Sequence, residues 1–405
     1  MLPSAGKPRF TIVIHSPGAV RRMFRLPIEL AIGESFIRSD FDIEGDLFAA
    51  FGLMSTLSTA IQSSSDLVAL ARSYLALPSD PPSNTITRGR ARLSGALHSK
   101  ERDRAAIQYH YDVGNDFYAL WLDQRMNYSC AYFRTGTEDI DAAQEAKLEH
   151  ICRKLRLKPG ERLLDIGCGW GGLAIYAVQK YGVNALGVTL SEKQHALANE
   201  RIAAAGLTDH VAVKLLDYRD LSDAQFDKIV SVGMFEHVGR SHLPEYFEHA
   251  HRLLKPGGLF LNHGISAAHP HVLKPSDSPW ARFVERYVVG SGQFVWHYIF
   301  PDGELEPVSE VNLLAEAAGF EVRDVENLRE HYALTLRHWV KRLEMERDQA
   351  VRLVGDTVYR TWRLYMAGSA VGFESGGINV NQTLLAKPAK GAVSLPLTRD
   401  DLYVN

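Results

Sequence analysis

Four groups with complementary chemistry stand where short apolar runs end. In "VGMFEHVG" the carboxyl of Glu236 precedes the imidazole of His237, "LNHGIS" carries His263, and "LREHYALTLRHW" carries the phenol of Tyr332. A carboxylate, an imidazole and a phenol that converge can hold a small anion or move a proton. A lone histidine is more often structural than catalytic, so everything depends on whether the fold gathers them. "MNYSCAYF" adds the thiol of Cys130 between two tyrosines. Alone, that cysteine is as compatible with buried packing as with a working part of a site.

A second constellation is "LLDIGCGWGG". Gly167, Gly169 and Gly172 satisfy the loose G-x-G-x-x-G template, which by itself does not separate nicotinamide binding from nucleoside binding, or from a plain tight turn. Asp165, two positions before the first glycine, favours a nucleoside-sulfonium ligand over a dinucleotide. So does "GVTLSEKQ", whose first polar groups are the hydroxyls of Thr189 and Ser191. Gly167 and Gly169 would admit backbone close to a ligand that a Cβ would block. In "LLDYRDL", Asp217 and Tyr218 are an acid and an aromatic suited to bracketing an adenine, with Tyr218 as simple packing the rival reading.

These residues need a scaffold that brings them to one edge. "ERLLDIG", "NALGVTL", "HVAVKLLD", "FDKIVSVG" and "LFLNHGIS" read as strands. Between them "GLAIYAVQKYG", "SEKQHALANERIAAAG" and "LPEYFEHAHRLLKPGG" read as helices, with Ser191 a natural N-cap. Alternating strands and helices predict an α/β fold, a doubly wound, mostly parallel sheet. Ligands of such sheets bind beyond the carboxyl ends of the strands. Before it, "RFTIVIH" reads as a strand and "DLFAAFGLMSTLSTAIQ" as a helix, in a small α+β segment. "PSDPPSNTITRGRARLSGALHSKERDR" reads as an exposed connector whose cations, Arg88, Arg90, Arg92, Lys100, Arg102 and Arg104, could meet anionic headgroups.

The chain has 405 residues, 46% apolar and 23% charged, with net charge −3. That length suits one large and one small domain, and the charge argues against a general nucleic-acid binder. Three cysteines, Cys130, Cys152 and Cys168, without a CxxC pair, suit a reducing compartment. The first residues lack a signal-peptide pattern, and no run of 18 apolar residues occurs. The expectation is a cytoplasmic protein whose membrane contact is peripheral, at the inner face.

"YHYDVGNDFY", "NYSCAYF", "LLDIGCGWGG", "GVTLSEKQ", "LLDYRDL", "SVGMFEHVG" and "LNHGI", in this order, resemble the cyclopropane-fatty-acid synthases and the related mycolic-acid methyltransferases. The likeness spans roughly residues 105 to 390. It implies the class I S-adenosylmethionine methyltransferase fold, preceded by a small lipid-engaging or dimerisation domain over 1–95 and a basic linker over 96–104, and followed by a tail over 391–405. It implies S-adenosylmethionine as cofactor, touched by Tyr128 and Ser129. Leu163, Asp165, Gly167, Cys168, Gly169 and Gly171 match its loop, as do Thr189, Leu190 and Gln194, then Asp217, Tyr218, Arg219 and Val232. It implies a bicarbonate ion held by Cys130, Glu236, His263, Ile265 and Tyr332, with Cys130 and Ile265 acting mainly through backbone, and no metal. The implied substrate is an unsaturated phospholipid acyl chain at the membrane surface, with no nucleic acid and with homodimerisation open. The implied reaction builds a cyclopropane ring on the cis double bond of that chain through a carbocation deprotonated by the bicarbonate; a methyl- or methylene-branched product, or methylation of another small molecule, is the alternative.

Two departures accompany the likeness. "YMAGSAVGF" has no thiol where some members carry a cysteine, and the aromatic stretch over 266–300 is longer than in the shortest members, a candidate wall for the acyl pocket.

Overall fold

Asp165 and Leu164, neighbours on one strand, face opposite sides of a sheet, and that alternation organises the larger part of the molecule. The structure is a computed structural model; it describes residues 8–52, 64–82, 84–222, 225–268 and 292–403. The described residues fall into two compact units. One lies within Met1–Arg92, Lys274–Pro301 and Leu343–Val371, the other within Leu93–Leu273, Asp302–Arg342 and Gly372–Asn405.

In the first unit, β1 (Phe10–Ile14) pairs antiparallel with β2 (Phe41–Gly45), Phe10 opposite Gly45 and Ile14 opposite Phe41. Between them runs the helix Ile28–Ile37, which buries Ile28, Leu30, Phe36 and Ile37. Arg360 anchors it from the segment 343–371. Its Nε donates to the carbonyl of Phe36 at 2.6 Å, a terminal nitrogen donates to that of Phe41 at 2.8 Å, and the guanidinium lies 4.2 Å from the Phe36 ring centre. The phenol of Tyr298 donates to Glu34 at 2.7 Å, and Arg90 pairs with the same carboxylate. The helix expected over 46–62 appears as Leu47–Ala50, capped by Asp46; its residues 53–62 lie outside the described residues. So does most of the 266–300 stretch.

In the second unit β3 (Arg162–Ile166), β4 (Asn184–Thr189), β5 (Val211–Leu215), β6 (Phe226–Val232) and β7 (Leu254–Ala267) form the parallel part of a seven-stranded sheet. β8 (Glu321–Asn327) and β9 (Ile378–Ala386) complete it, in the order β5-β4-β3-β6-β7-β9-β8, with β9 antiparallel to both neighbours. Each expected strand is present. Both faces are covered, which is why β3 reads as a nearly continuous apolar run. Leu163 packs with Ile151, Ala174 and Ala198 on one face, and Leu164 with Ile229, Phe247 and Phe260 on the other. The helix Glu192–Ala204 starts at Ser191, whose hydroxyl accepts from the Gln194 amide.

The expected basic connector differs from this picture. Ser99 caps a helix, Lys100–Tyr111, so residues 100–104 are its first turns. Arg90 pairs with Glu34, Lys100 with Asp220 and Arg102 with Asp302, so these cations of the expected connector already have acidic partners. Among the described residues no helix is long and apolar enough to cross a membrane.

Candidate active site

A cleft opens at the carboxyl ends of β3, β4 and β6. Gly167 (φ +80°) and Gly169 (φ +54°) turn the chain after β3 in left-handed conformations that favour glycine. Gly172 is required for a different reason. A Cβ there would stand 2.7 Å from the carbonyl oxygen of Arg125 and 2.9 Å from Oδ1 of Asn127. Its absence lets the segment 123–129 cross the start of the helix Gly172–Tyr181. Asp123 shapes that segment, accepting from the amides of Arg125 and Asn127 and from the Asn127 side chain at 2.7 to 3.0 Å. The helix Ile140–Leu155 holds its end: Gln144 donates to the carbonyl of Ser129 at 2.8 Å, and Lys147 to the Ser129 hydroxyl at 3.0 Å.

Thirteen of the fifteen residues expected to contact the cofactor line this cleft. They are Tyr128 and Ser129; Asp165, Gly167, Cys168 and Gly169; Thr189, Leu190 and Gln194; Asp217, Tyr218 and Arg219; and Val232. Two do not. Leu163, at the opposite end of its strand from the loop, is fully buried in the core, and Gly171 faces Ala198 of the neighbouring helix. The hydroxyl of Thr189 donates to Oε1 of Gln194 at 2.8 Å. Arg219 is committed to protein partners: its guanidinium meets Asp217 at 2.7 Å and Asp103 at 2.9 Å. Burial raises the Asp217 carboxyl, but the Arg219 contacts outweigh it and hold the group below its ordinary range.

The cleft also exposes residues the sequence reading passed over, Asp103, Tyr111, Lys147, Trp170 and Met234, together with His237, noted there beside Glu236. Tyr111 and Trp170 stood within quoted motifs. They meet edge to face at 5.7 Å, and Tyr111 meets Tyr128 the same way at 6.4 Å, so three rings wall one side. Asp103 was hidden in the supposed connector. Lys147 left a fainter trace, a lysine on the apolar stripe of Ala143, Ile151 and Leu155.

Cys130, Glu236, His263, Ile265 and Tyr332 do not line this cleft; they stand beyond it, in two linked groups. Glu236 follows β6, and its Oε1 accepts from the backbone N–H of Ile265 at 2.7 Å, while its Oε2 is buried with no hydrogen-bond partner among the described residues. His263 pairs across the sheet with the cleft residue Val232 and, on the other side, with Gln382. The Gln382 side chain contacts Nδ1 of His263 at 3.1 Å, leaving Nε2 buried and without a partner among the described residues. His263 and Ile265, two apart on β7, share a face. In the other group, the Cys130 thiol contacts the carbonyl of Leu328 at 3.7 Å, and the amide of Tyr332 donates to that same oxygen at 3.0 Å. The Tyr332 ring packs on Phe373, with centroids 4.6 Å apart.

Burial sets the protonation states. It raises the Glu236 carboxyl to about 7, against the opposing pull of the Ile265 N–H, and Asp165 to about 7, against the pull of Lys147. It lowers His263 to about 3, helped by the charges of Lys147 and Lys154, so that imidazole is neutral at physiological pH. Burial raises the Cys130 thiol far out of the reactive range. Among the described residues no group of three or more His, Cys, Asp or Glu side chains could hold a metal ion.

Glycines that admit close backbone approach, the acid Asp165 and three aromatic rings fit a nucleoside that carries a cation. Similar proteins agree with that chemistry. A probable fatty acid methyltransferase of Pseudomonas putida is 43% identical over 98% of this chain and 92% of its own length. The cyclopropane-fatty-acyl-phospholipid synthase of Escherichia coli (strain K12) is 38% identical over 73% of this chain and 72% of its own. The crystal structure of mycolic acid cyclopropane synthase CmaA1, complexed with SAH and CTAB, superposes with a TM-score of 0.65 at 38% identity, covering 70% of this chain and 97% of that one. Residues 98–383 match the family model for mycolic acid cyclopropane synthetase. The chain therefore belongs to the mycolic acid cyclopropane synthetase family, a group of S-adenosylmethionine-dependent methyltransferases that modify lipids.

Proposed function

We propose that this enzyme builds a cyclopropane ring across the cis double bond of an unsaturated phospholipid acyl chain, working peripherally at the inner face of the cytoplasmic membrane. The observation that carries the reading is the buried pair of open atoms, Oε2 of Glu236 and Nε2 of His263. Polar atoms buried without partners cost free energy, so their retention argues for a small polar guest. A carboxyl near pH 7 and a neutral imidazole suit a bicarbonate ion. Glu236 would donate its proton to one oxygen, and the N–H of His263 would face another. Tyr332 and the backbone around Cys130 would close the site.

S-adenosylmethionine, when bound, supplies a methyl group activated by its sulfonium. The glycine loop, Thr189, Gln194 and the acids Asp165 and Asp217 would hold it. An isolated alkene is a weak nucleophile, so rate depends on holding it in line with that methyl group. The cation left on the acyl chain would be stabilised by the ring faces of Tyr111, Tyr128 and Trp170, in surroundings that exclude the water that would quench it. Ring closure then requires that a proton leave the added carbon, and bicarbonate held by Glu236 and His263 would supply the acceptor.

A second reading has its own support. Two relatives that span 95% or more of the chain are named probable fatty acid methyltransferases, which favours a methyl- or methylene-branched product. The two readings differ in which proton leaves. Total lipids from cells expressing this chain, studied by mass spectrometry, should show acyl chains heavier by one CH2. Upfield ring protons by NMR would support cyclopropanation and vinylidene protons the alternative; an unchanged acyl profile would remove both.

A further inference from the structure

The strand β9 is buried, yet its centre reads Asn381, Gln382, Thr383, polar side chains in a row. Each is costly there unless a partner takes it up. Asn381 donates to the Ser266 hydroxyl at 2.7 Å, and the Thr383 hydroxyl donates to Oδ1 of Asn312 at 3.4 Å. Gln382, 0% exposed, has His263 directly opposite on β7, and its side-chain nitrogen stands 3.1 Å from Nδ1 of that ring. Residues directly opposite in an antiparallel pair share a face, so register alone brings the amide to the imidazole. An amide NH2 can only donate, and a neutral imidazole has one donor and one acceptor nitrogen. With Gln382 donating, Nδ1 is the lone-pair nitrogen and the ring proton sits on Nε2. Burial keeps the ring neutral, so no second proton blurs that choice. Glu236 is matched to it. The Ile265 N–H fills Oε1, so the proton of the neutral carboxyl belongs on the open atom, Oε2.

We propose that Gln382 is a positioning residue: it holds His263 in the tautomer protonated on Nε2, so that the imidazole and Glu236 meet their guest as two hydrogen-bond donors. The site is thereby set for a small oxyanion whose oxygens accept, and Gln382 acts on that guest only through His263. Which ring nitrogen of a histidine carries the proton is decided by the hydrogen bond that the other nitrogen makes. Without the amide, the proton is free to move to Nδ1, and Nε2 would then turn a lone pair toward the anion. A glutamine at this place in a buried strand, where an apolar side chain would pack without any need of a partner, has its reason in that one contact.

The effect on rate rests on the bicarbonate reading of the site, whereas the tautomer does not, and two measurements on the intact protein separate them. In the first, the protein is labelled with nitrogen-15 in its histidines and studied by NMR, the His263 signals being identified by their loss in His263→Gln. Nδ1 should show the shift of a bare ring nitrogen and Nε2 that of an N–H nitrogen. In Gln382→Met, which keeps length without a donor, both shifts should move toward the average of the two tautomers. In the second, turnover of carbonate-depleted protein is followed as bicarbonate is added. Gln382→Met should turn over slower by on the order of 10- to 100-fold, the scale of losses when the partner orienting a ligating histidine is removed. Half-maximal turnover should need on the order of tenfold more bicarbonate, about the worth of one hydrogen bond. Affinity for S-adenosylhomocysteine should not change. A wild-type His263 with its proton on Nδ1 overturns the assignment without any variant, as does a Gln382→Met protein that keeps the wild-type shifts and bicarbonate requirement. A wild type indifferent to bicarbonate overturns the bicarbonate reading instead, and the spectra alone then decide for or against Gln382.

Discussion

The backbone N–H of Ile265 donates to Oε1 of Glu236 at 2.7 Å, locking a buried carboxyl from β6 against the next strand while its second oxygen stays open. A side chain fixed on one side and free on the other is arranged to present an atom to a guest. Glu236→Gln keeps the shape and can still meet Ile265, but it cannot supply an acidic proton. Turnover should fall by on the order of 10²-fold or more, the usual scale for acid–base catalysis. Affinity for S-adenosylhomocysteine should be unchanged, because Glu236 lies beyond the cleft lining. Added bicarbonate should raise the rate of carbonate-depleted wild type and do less for the variant. Wild-type turnover in the variant would remove Glu236 from the chemistry.

The same carboxyl leaves a mark on stability. Its pKa rises from an ordinary 4.5 to about 7 in the folded chain, chiefly through burial. A raised folded-state value means that the contribution is complete below pH 4.5 and is lost as pH climbs through 7. His263 slopes the other way: lowered to about 3, it costs stability as pH falls below its ordinary 6.5. Comparing wild type with Glu236→Gln isolates the first effect. The stability of wild type relative to the variant should decline by on the order of 3 kcal/mol between pH 4.5 and 7, read by denaturant titration at each pH. A pH-independent difference would contradict the raised value.

Arg360 makes the next case. It is 8% exposed and serves the carbonyls of Phe36 and Phe41 and the carboxylate of Asp42 at once. Arg360→Met should lower stability by roughly 2–4 kcal/mol, since two backbone acceptors lose their donors. Arg360→Lys should rescue little, because a single ammonium cannot reproduce the fork. It follows that cutting the chain after residue 92 strips the segment 343–371 of its partners. Circular dichroism of such a truncation should show a lower melting temperature than the full chain; an equal one would mean that residues 1–92 contribute nothing to the stability of the rest.

The parallel strands and the glycine loop were readable because both depend on local pattern: apolar runs for doubly covered strands, and glycines where φ is positive. What escaped depends on distant partners. Lys100 and Arg102 looked like parts of a free basic strip, since nothing nearby announces Asp220 or Asp302. Lys147 carries no motif of its own; only the packing of its helical stripe against the core sets it apart from a surface lysine. Leu163 and Gly171 were included by their place in a motif, although strand position sends one into the core and helix packing turns the other toward Ala198. The link between Cys130 and Tyr332 runs through the carbonyl of Leu328, which carries no sequence signal at all.

Cys130 invites a sharper test. It is 0% exposed, its single S–H has two carbonyls within reach, Ala131 at 3.3 Å and Leu328 at 3.7 Å, and burial pushes its pKa up. A nucleophile must be a thiolate. Here both the low-dielectric surroundings and the carbonyl acceptors favour the protonated form, so the thiol is a wall and not an attacking group. Native protein at pH 8 should therefore leave Cys130 unlabelled by iodoacetamide over hours, with labelling appearing only on unfolding; peptide mapping by mass spectrometry reads this directly. Cys130→Ser offers an O–H to the same carbonyls, and its turnover should fall less than about tenfold, well short of the loss in Glu236→Gln. A covalent nucleophile replaced in this way would leave almost no activity. An inactive Cys130→Ser protein beside an active Glu236→Gln protein would move the centre of the chemistry from the carboxyl held by Ile265 to the thiol held by Leu328.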